Sequence, residues 1–175
     1  MRVRSPAGFT LIEVLAALFV LSVGLLGAAA MQAKARALYS DAAQRSEALL
    51  IATSLAERMR ANPVAMSLPD ASNPYLRIDI DSSAASAAGA PCFGGANCTP
   101  SDLAAFDALE AARNLHDAFP HARLLVCRDG SAATPAAWEC EGAPAAPIVV
   151  KIGWRGRQAY DFRPSLALAV AGGGA

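Results

Sequence analysis

The sequence is short of charge, of aromatic side chains and of histidine, and each shortage narrows what the chain can do. Only 17% of its residues are Asp, Glu, Lys or Arg, and fifteen basic against fifteen acidic residues leave a formal net charge of zero. Neutralising a phosphate backbone needs a basic excess, so this composition does not serve nucleic acid as a partner. The two histidines, His116 and His121, flank an expected helix end with Asp117 between them. A helix C-terminus favours such side chains through its dipole, with no catalysis involved. There is no nucleophile elbow, no glycine-rich phosphate loop and no metal-binding histidine pair. The chain is therefore read as a non-enzyme, with no catalytic residue, no cofactor and no metal. Four cysteines, Cys92, Cys98, Cys127 and Cys140, are spaced more widely than the roughly two to four residues that separate paired zinc ligands.

What the chain does have is apolar residues, at 54%. Much of that is alanine, so the distribution matters more than the total. Arg2 and Arg4 make a short positive end ahead of a greasy run. Positive charge stays on the cytoplasmic side of a membrane, which points the N-terminus inward and exports the rest. From Phe9 to Met31 the only ionisable side chain is Glu13. As a helix this stretch extends roughly 35 Å, enough to cross a hydrocarbon core of about 30 Å. Gly24 and Gly27 within it suit close approach of neighbouring helices. A cleaved secretory signal ending at Ala28, Ala29 and Ala30 is the bland alternative. It is opposed by the carboxylate at the front of the run and by a periodic pattern that continues past the cleavage point.

Glu13 needs a reason, because an acid at mid-bilayer costs on the order of 2.5 to 3.5 kcal/mol. If the chain is cut between Gly8 and Phe9, the new amine lies about one helical turn before Glu13. In a bundle of such helices, the acid of one subunit is best neutralised by the amine of the next, and that pairing sets the axial register.

The string Gly8-Phe9-Thr10-Leu11-Ile12-Glu13-Val14-Leu15, followed by apolar residues to Met31, resembles the class III signal of type IV pilins and type II secretion pseudopilins. The resemblance implies that an inner-membrane prepilin peptidase cleaves after Gly8 and methylates the amine of Phe9, and that Glu13 is the assembly glutamate. It implies an α+β pilin fold: a long spine helix, transmembrane in its first half and amphipathic in its second, carrying a small antiparallel-sheet head.

The residues beyond fit that plan. Leu38, Ala42, Leu49, Ala52, Leu55 or Ala56, and Met59 recur at spacings near three and four, with Arg45 interrupting, and read as a packing face. Asn62-Pro63 supplies a stop. The expected organisation is a leader at 1–8, a transmembrane half-helix at 9–31, an amphipathic half at 32–62 and a globular head at 63–175. In the head, Tyr75 to Ile80 alternates like a half-buried strand, and Ser82 to Pro91 reads as a loop. Thr99-Pro100-Ser101-Asp102 carries a cap, a proline at the first helical position and an acid three after the cap. A helix to about Phe119 follows, with Leu103, Phe106, Leu109, Leu115 and Phe119 as its buried side. Arg123 to Arg128, Ile148 to Trp154, Ala159 to Phe162 and Leu166 to Val170 read as strands, with Gly156 in the turn between the second and third. Trp138 and Trp154 are expected as core or interface anchors.

All four cysteines lie in the exported part, where disulfides form. Three connectivities are possible. The two local bridges, Cys92 with Cys98 and Cys127 with Cys140, are favoured because each closes a loop of small residues. A loop of about fifteen residues stabilises by roughly 3 kcal/mol in the chain-entropy account.

A narrower resemblance spreads over most of the chain. Leu26-Gly27, Ala56 to Pro63, Cys98-Thr99-Pro100 and Pro147 to Trp154 together resemble the PilV-type minor pilins. This implies a low-abundance subunit that primes pilus assembly near the tip. Its implied partners are the prepilin peptidase, other minor pilins and the major pilin, the assembly platform and a large tip adhesin. Its implied location is the inner membrane, with the head periplasmic, and then the pilus at the cell surface. A minor pseudopilin of a type II secretion system and a tip adhesion module are the alternatives.

Overall fold

A computed structural model of the chain describes residues 8, 10–83, 89–131, 137–155 and 163–170. Helix α1 spans Leu11–Ala61. It is built largely from alanine, leucine and other good helix formers and contains no proline. Pro63 stops it, because the residue before a proline is pushed out of helical geometry. Asn62 then caps a short helix α2, Pro63–Met66, its side chain accepting the Ala65 N–H at 3.3 Å.

The chain divides into two compact units, Met1–Ala43 and Gln44–Ala175. In the first, every described residue is exposed, including Leu15, Leu18, Phe19, Val20, Leu21, Leu25 and Leu26. Among the described residues, α1 is the one helix long and apolar enough to cross a membrane.

In the second unit, α1 buries Ala48, Ile51, Ala52, Leu55, Ala56 and Met59, a stripe at spacings of three and four. The expected stripe is corrected in its upper part. Leu38, Ala42 and Leu49 are exposed, and Ala48 and Ile51 take the inward positions, continuing the helical face that Leu55 and Met59 define.

A second correction concerns Tyr75 to Arg77. Pro74–Arg77 is a 3-10 turn, not a strand, and strand β1 is only Asp79–Asp81. The reason was visible in the residues: Asn73 accepts the Tyr75 N–H at 3.0 Å and Pro74 occupies the first helical position, the cap-plus-proline signal that also starts the next helix. That helix, α3, spans Pro100–Ala118 and opens with a reciprocal box in which the Thr99 hydroxyl accepts the Asp102 N–H and Asp102 accepts the Thr99 N–H. Its buried positions are Ala104, Asp107, Ala111 and Leu115, with Phe119 buried just beyond. Leu103, Phe106 and Leu109 are only half-buried. The small alanines let α3 approach closely, so its larger side chains flank the contact; Phe106 meets Phe93 edge-on at 5.8 Å.

The sheet contains β1, then β2 at Ala122–Arg128, β3 at Ile148–Trp154 and β4 at Leu166–Ala169, all antiparallel in the order β1-β2-β3-β4. The expected Ala159 to Phe162 strand and the turn at Gly156 lie outside the described residues. Ala122, Leu124 and Val126 of β2 and Ile148, Val150, Ile152 and Trp154 of β3 join Leu55, Met59, Tyr75 and Leu115 in one core. Trp154 stacks on Phe119 at 5.2 Å, as a core anchor.

Strand β3 is buried along its whole length. Its other face, Val149, Lys151 and Gly153, lies under the chain around Trp138. A Cβ placed on Gly153 would come 2.5 Å from the Arg163 carbonyl oxygen and 2.7 Å from Trp138 Cζ2. Backbone cannot yield as a flexible side chain can, so Gly153→Ala is expected to destabilise by about 1 to 3 kcal/mol in chemical denaturation.

Candidate functional site

The functional segment expected from the sequence begins at Gly8. It is exposed, and a Cβ built there meets nothing within 4 Å. No contact within the described chain therefore requires glycine at this position. Phe9 lies outside the described residues. Thr10 precedes α1 and acts as its cap with Glu13: the Thr10 N–H and hydroxyl each donate to Glu13 Oε2 at 3.4 Å, and the Glu13 N–H donates to the Thr10 carbonyl at 3.1 Å. Sequence reading singled out Glu13 and passed over Thr10, although a threonine three residues before a glutamate is the capping signature.

Around Glu13 the helix surface is apolar. Leu11 and Ile12 are 80% and 74% exposed, and the exposed run continues through Val14, Leu15 and Leu18. An acid stands alone at the entrance of a greasy rod, held at the helix N-terminus, where the dipole favours negative charge. Gly24 and Gly27 have nothing within 4 Å of a built Cβ, which leaves room for another helix backbone to approach.

In the second unit, two bridges join Cys92 to Cys98 and Cys127 to Cys140, with Cα atoms 5.8 and 6.3 Å apart. Two buried polar clusters organise the same unit. In the first, Asp107 accepts from Arg58 at 3.2 Å and from the Tyr75 hydroxyl at 2.7 Å, while Asn62 donates to the Tyr75 oxygen and to the Pro100 carbonyl. Burial, aided by the bond to Asp107, pushes the Tyr75 phenol well above its ordinary value, so it stays a neutral donor. This cluster ties the end of α1 to α3 and the 3-10 turn.

In the second cluster, Lys151 pairs with Asp129, both almost fully buried. The Lys151 ammonium also donates to the carbonyls of Ala137 at 3.0 Å and Glu139 at 2.8 Å. Asp129 accepts from the Ser131 N–H at 2.9 Å and hydroxyl at 2.6 Å. Burial pushes the Asp129 carboxyl up, but the bonds from Lys151 and Ser131 outweigh it and hold the group at about 2. Its folded value is thus below its unfolded one. The linked stability is full above the ordinary carboxylate value near 4 and is lost as pH falls towards about 2. Acid titration of the tryptophan near-ultraviolet dichroism should show this step, and Asp129→Asn should remove it.

Trp138 lies on the outer sheet face under the Arg123 guanidinium, 4.8 Å from its ring centre, and Arg123 forks onto Asp79 with two bonds of 2.7 Å. His116 Nδ1 sits 2.8 Å from the Ser82 carbonyl. Among the described residues no group of three His, Cys, Asp or Glu side chains is placed to hold a metal. The residues that sequence reading missed, Asp107, Asp129 and Lys151, act by burial. Lys151 alone left a trace, as the one charge inside the apolar run Ile148 to Trp154.

Comparison with known families gives two matches. The family described as type IV pilin Tt1218 matches residues 30–109, and the one described as the prokaryotic N-terminal methylation motif matches residues 3–29. No curated protein and no solved structure matches the chain.

Proposed function

We propose that this chain, whose residues 30–109 match the type IV pilin Tt1218 family and whose residues 3–29 match the N-terminal methylation motif, is a type IV pilin and a minor subunit that primes or joins a pilus near its tip after cleavage between Gly8 and Phe9 and methylation of the Phe9 amine. The observation that carries this reading is Glu13, a capped carboxylate at the start of an exposed apolar helix, four residues after the amine that cleavage would free. Residues 1–8 serve as the leader, 9–31 as the half-helix that waits in the inner membrane, 32–62 as the amphipathic half, and 63–175 as the periplasmic head. The helix leaves lipid for a core of sister helices, where the acid of one subunit meets the amine of another. The PilV-type resemblance of Leu26-Gly27, Ala56 to Pro63, Cys98-Thr99-Pro100 and Pro147 to Trp154 supports the minor role. Its partners are then the prepilin peptidase, the other minor pilins and the major pilin, the assembly platform and a large tip adhesin.

A deletion strain tests the role. Far fewer sheared surface filaments, with the major pilin still present in the membrane, is the expected result. Normal filament numbers with only surface attachment lost would favour the tip-adhesion reading. Normal pili with secretion lost would favour the pseudopilin reading.

A further inference from the structure

We propose that Lys151 is the template for the Cys127–Cys140 bridge: its buried ammonium gathers the loop after β2 onto the sheet and brings the two thiols together before they are oxidised. The inference stands on the head alone and does not depend on the subunit's place in a filament.

The register of the sheet sets the geometry. Leu125 pairs with Lys151 and Cys127 with Val149, so Lys151 and Cys127 share the outer face, two positions apart along neighbouring strands. An ammonium has three donors, and here all three are used: on Asp129, two residues after Cys127, and on the carbonyls of Ala137 and Glu139, the latter directly before Cys140. One cation thus holds both ends of the loop that the disulfide closes. Its acceptors come from residues on either side of 132–136, and none of these contacts involves a sulfur atom. With the loop closed, Asp129 and the two carbonyls take the place of water around the ammonium and keep all three of its donors bonded. The Gly142 N–H bond to the Arg128 carbonyl at 3.1 Å continues the same closure past Cys140.

The oxidation itself is ordinary exchange. The Cys127 and Cys140 thiols lose two electrons and two protons to a disulfide oxidant, which is reduced to two thiols, and one S–S bond forms in the chain. Lys151 takes no part in electron transfer; it raises the effective concentration of one thiol for the other.

The test uses the full chain in detergent, equilibrated against reduced and oxidised glutathione, with each bridge quantified by peptide mass spectrometry. Since Lys151→Met alone strands Asp129 as a bare buried charge, the double variant Lys151→Met/Asp129→Asn is measured beside it. The expected result is an effective concentration for Cys127–Cys140 that falls about tenfold or more, with Cys92–Cys98 unchanged as the internal control. No change in either bridge, or an equal fall in both, would overturn the proposal. So would an intact mass short by one water, which would mean that Lys151 and Asp129 are joined as an amide.

The reciprocal variant removes the bridge and keeps the cation. The chain has two lysines, exposed Lys34 and buried Lys151. In Cys127→Ala/Cys140→Ala, acylation of Lys151 should remain at least about tenfold slower than that of Lys34, because the loop still covers it. Equal labelling would mean that the disulfide holds the loop and that Lys151 merely fills the space beneath.

Discussion

Gly8→Leu is expected to leave the chain as an uncleaved precursor, with cleavage slowed on the order of a hundredfold by misplacement of the scissile bond. Gly8 is exposed and touches nothing within the described chain, so the substitution removes no internal contact and should not disturb folding or membrane insertion. On the proposed function, the demand for a small residue would come from outside the chain, from a peptidase that must draw the backbone close to its reacting groups. Gly8→Ala, one methyl larger, should slow leader removal only a little. Mass spectrometry of the N-terminal peptide separates the cases. Efficient maturation of Gly8→Leu would mean that the glycine has no role in processing.

Glu13→Gln is expected to separate maturation from assembly. The variant should be cleaved, methylated and held in the membrane, because the apolar run around it is unchanged. It should nevertheless be depleted from sheared filaments by at least about a hundredfold, since removing one member of a buried ion pair costs about 3 to 5 kcal/mol. Part of the loss is local: Thr10 would lose its charged capping partner, worth about 1 kcal/mol. Thr10→Ala removes the hydroxyl bond but keeps the carboxylate and its bond from the backbone N–H, and so measures the side chain's share separately. If Thr10→Ala and Glu13→Gln depleted the chain equally, the carboxylate would be acting only on its own helix. Normal incorporation of Glu13→Gln would remove the register argument altogether.

The elements most legible in the sequence were those set by local chemistry. The long apolar run, the stop at Asn62-Pro63, the box at Thr99 to Asp102 and the apolar strand Ile148 to Trp154 each carry their signal within a few residues. What escaped depended on distant partners. Tyr75 alternates with its neighbours like a strand residue, yet its hydroxyl is drawn to Asp107 on α3, and a 3-10 turn delivers it there. The stripe of α1 was misread at Leu49 because the inward position beside it is Ala48, and an alanine carries little hydrophobic signal. The same is true of α3, where Ala104 and Ala111 face inward and Phe106 does not. The Lys151–Asp129 pair could not be read at all from spacing, because only the strand register and the returning loop bring the two together.

Within the N-terminal segment, the apolar rod and the one acid inside it, Glu13, were legible in the residues. The hydrogen bonds from Thr10 to Glu13 add that the carboxylate is oriented towards the end of the helix where cleavage would free an amine. On the proposed function, an assembling subunit would exchange a weak local cap for a full ion pair with its neighbour, which would make insertion favourable only once the leader has gone.

The most direct measurement is the mass of the N-terminal peptide of this chain recovered from sheared surface filaments. A peptide that starts at Phe9 and carries one extra methyl on its amine is the predicted result. A peptide that starts at Met1 or after Ala30, or recovery of the chain only as a free periplasmic molecule without its apolar helix, would contradict it.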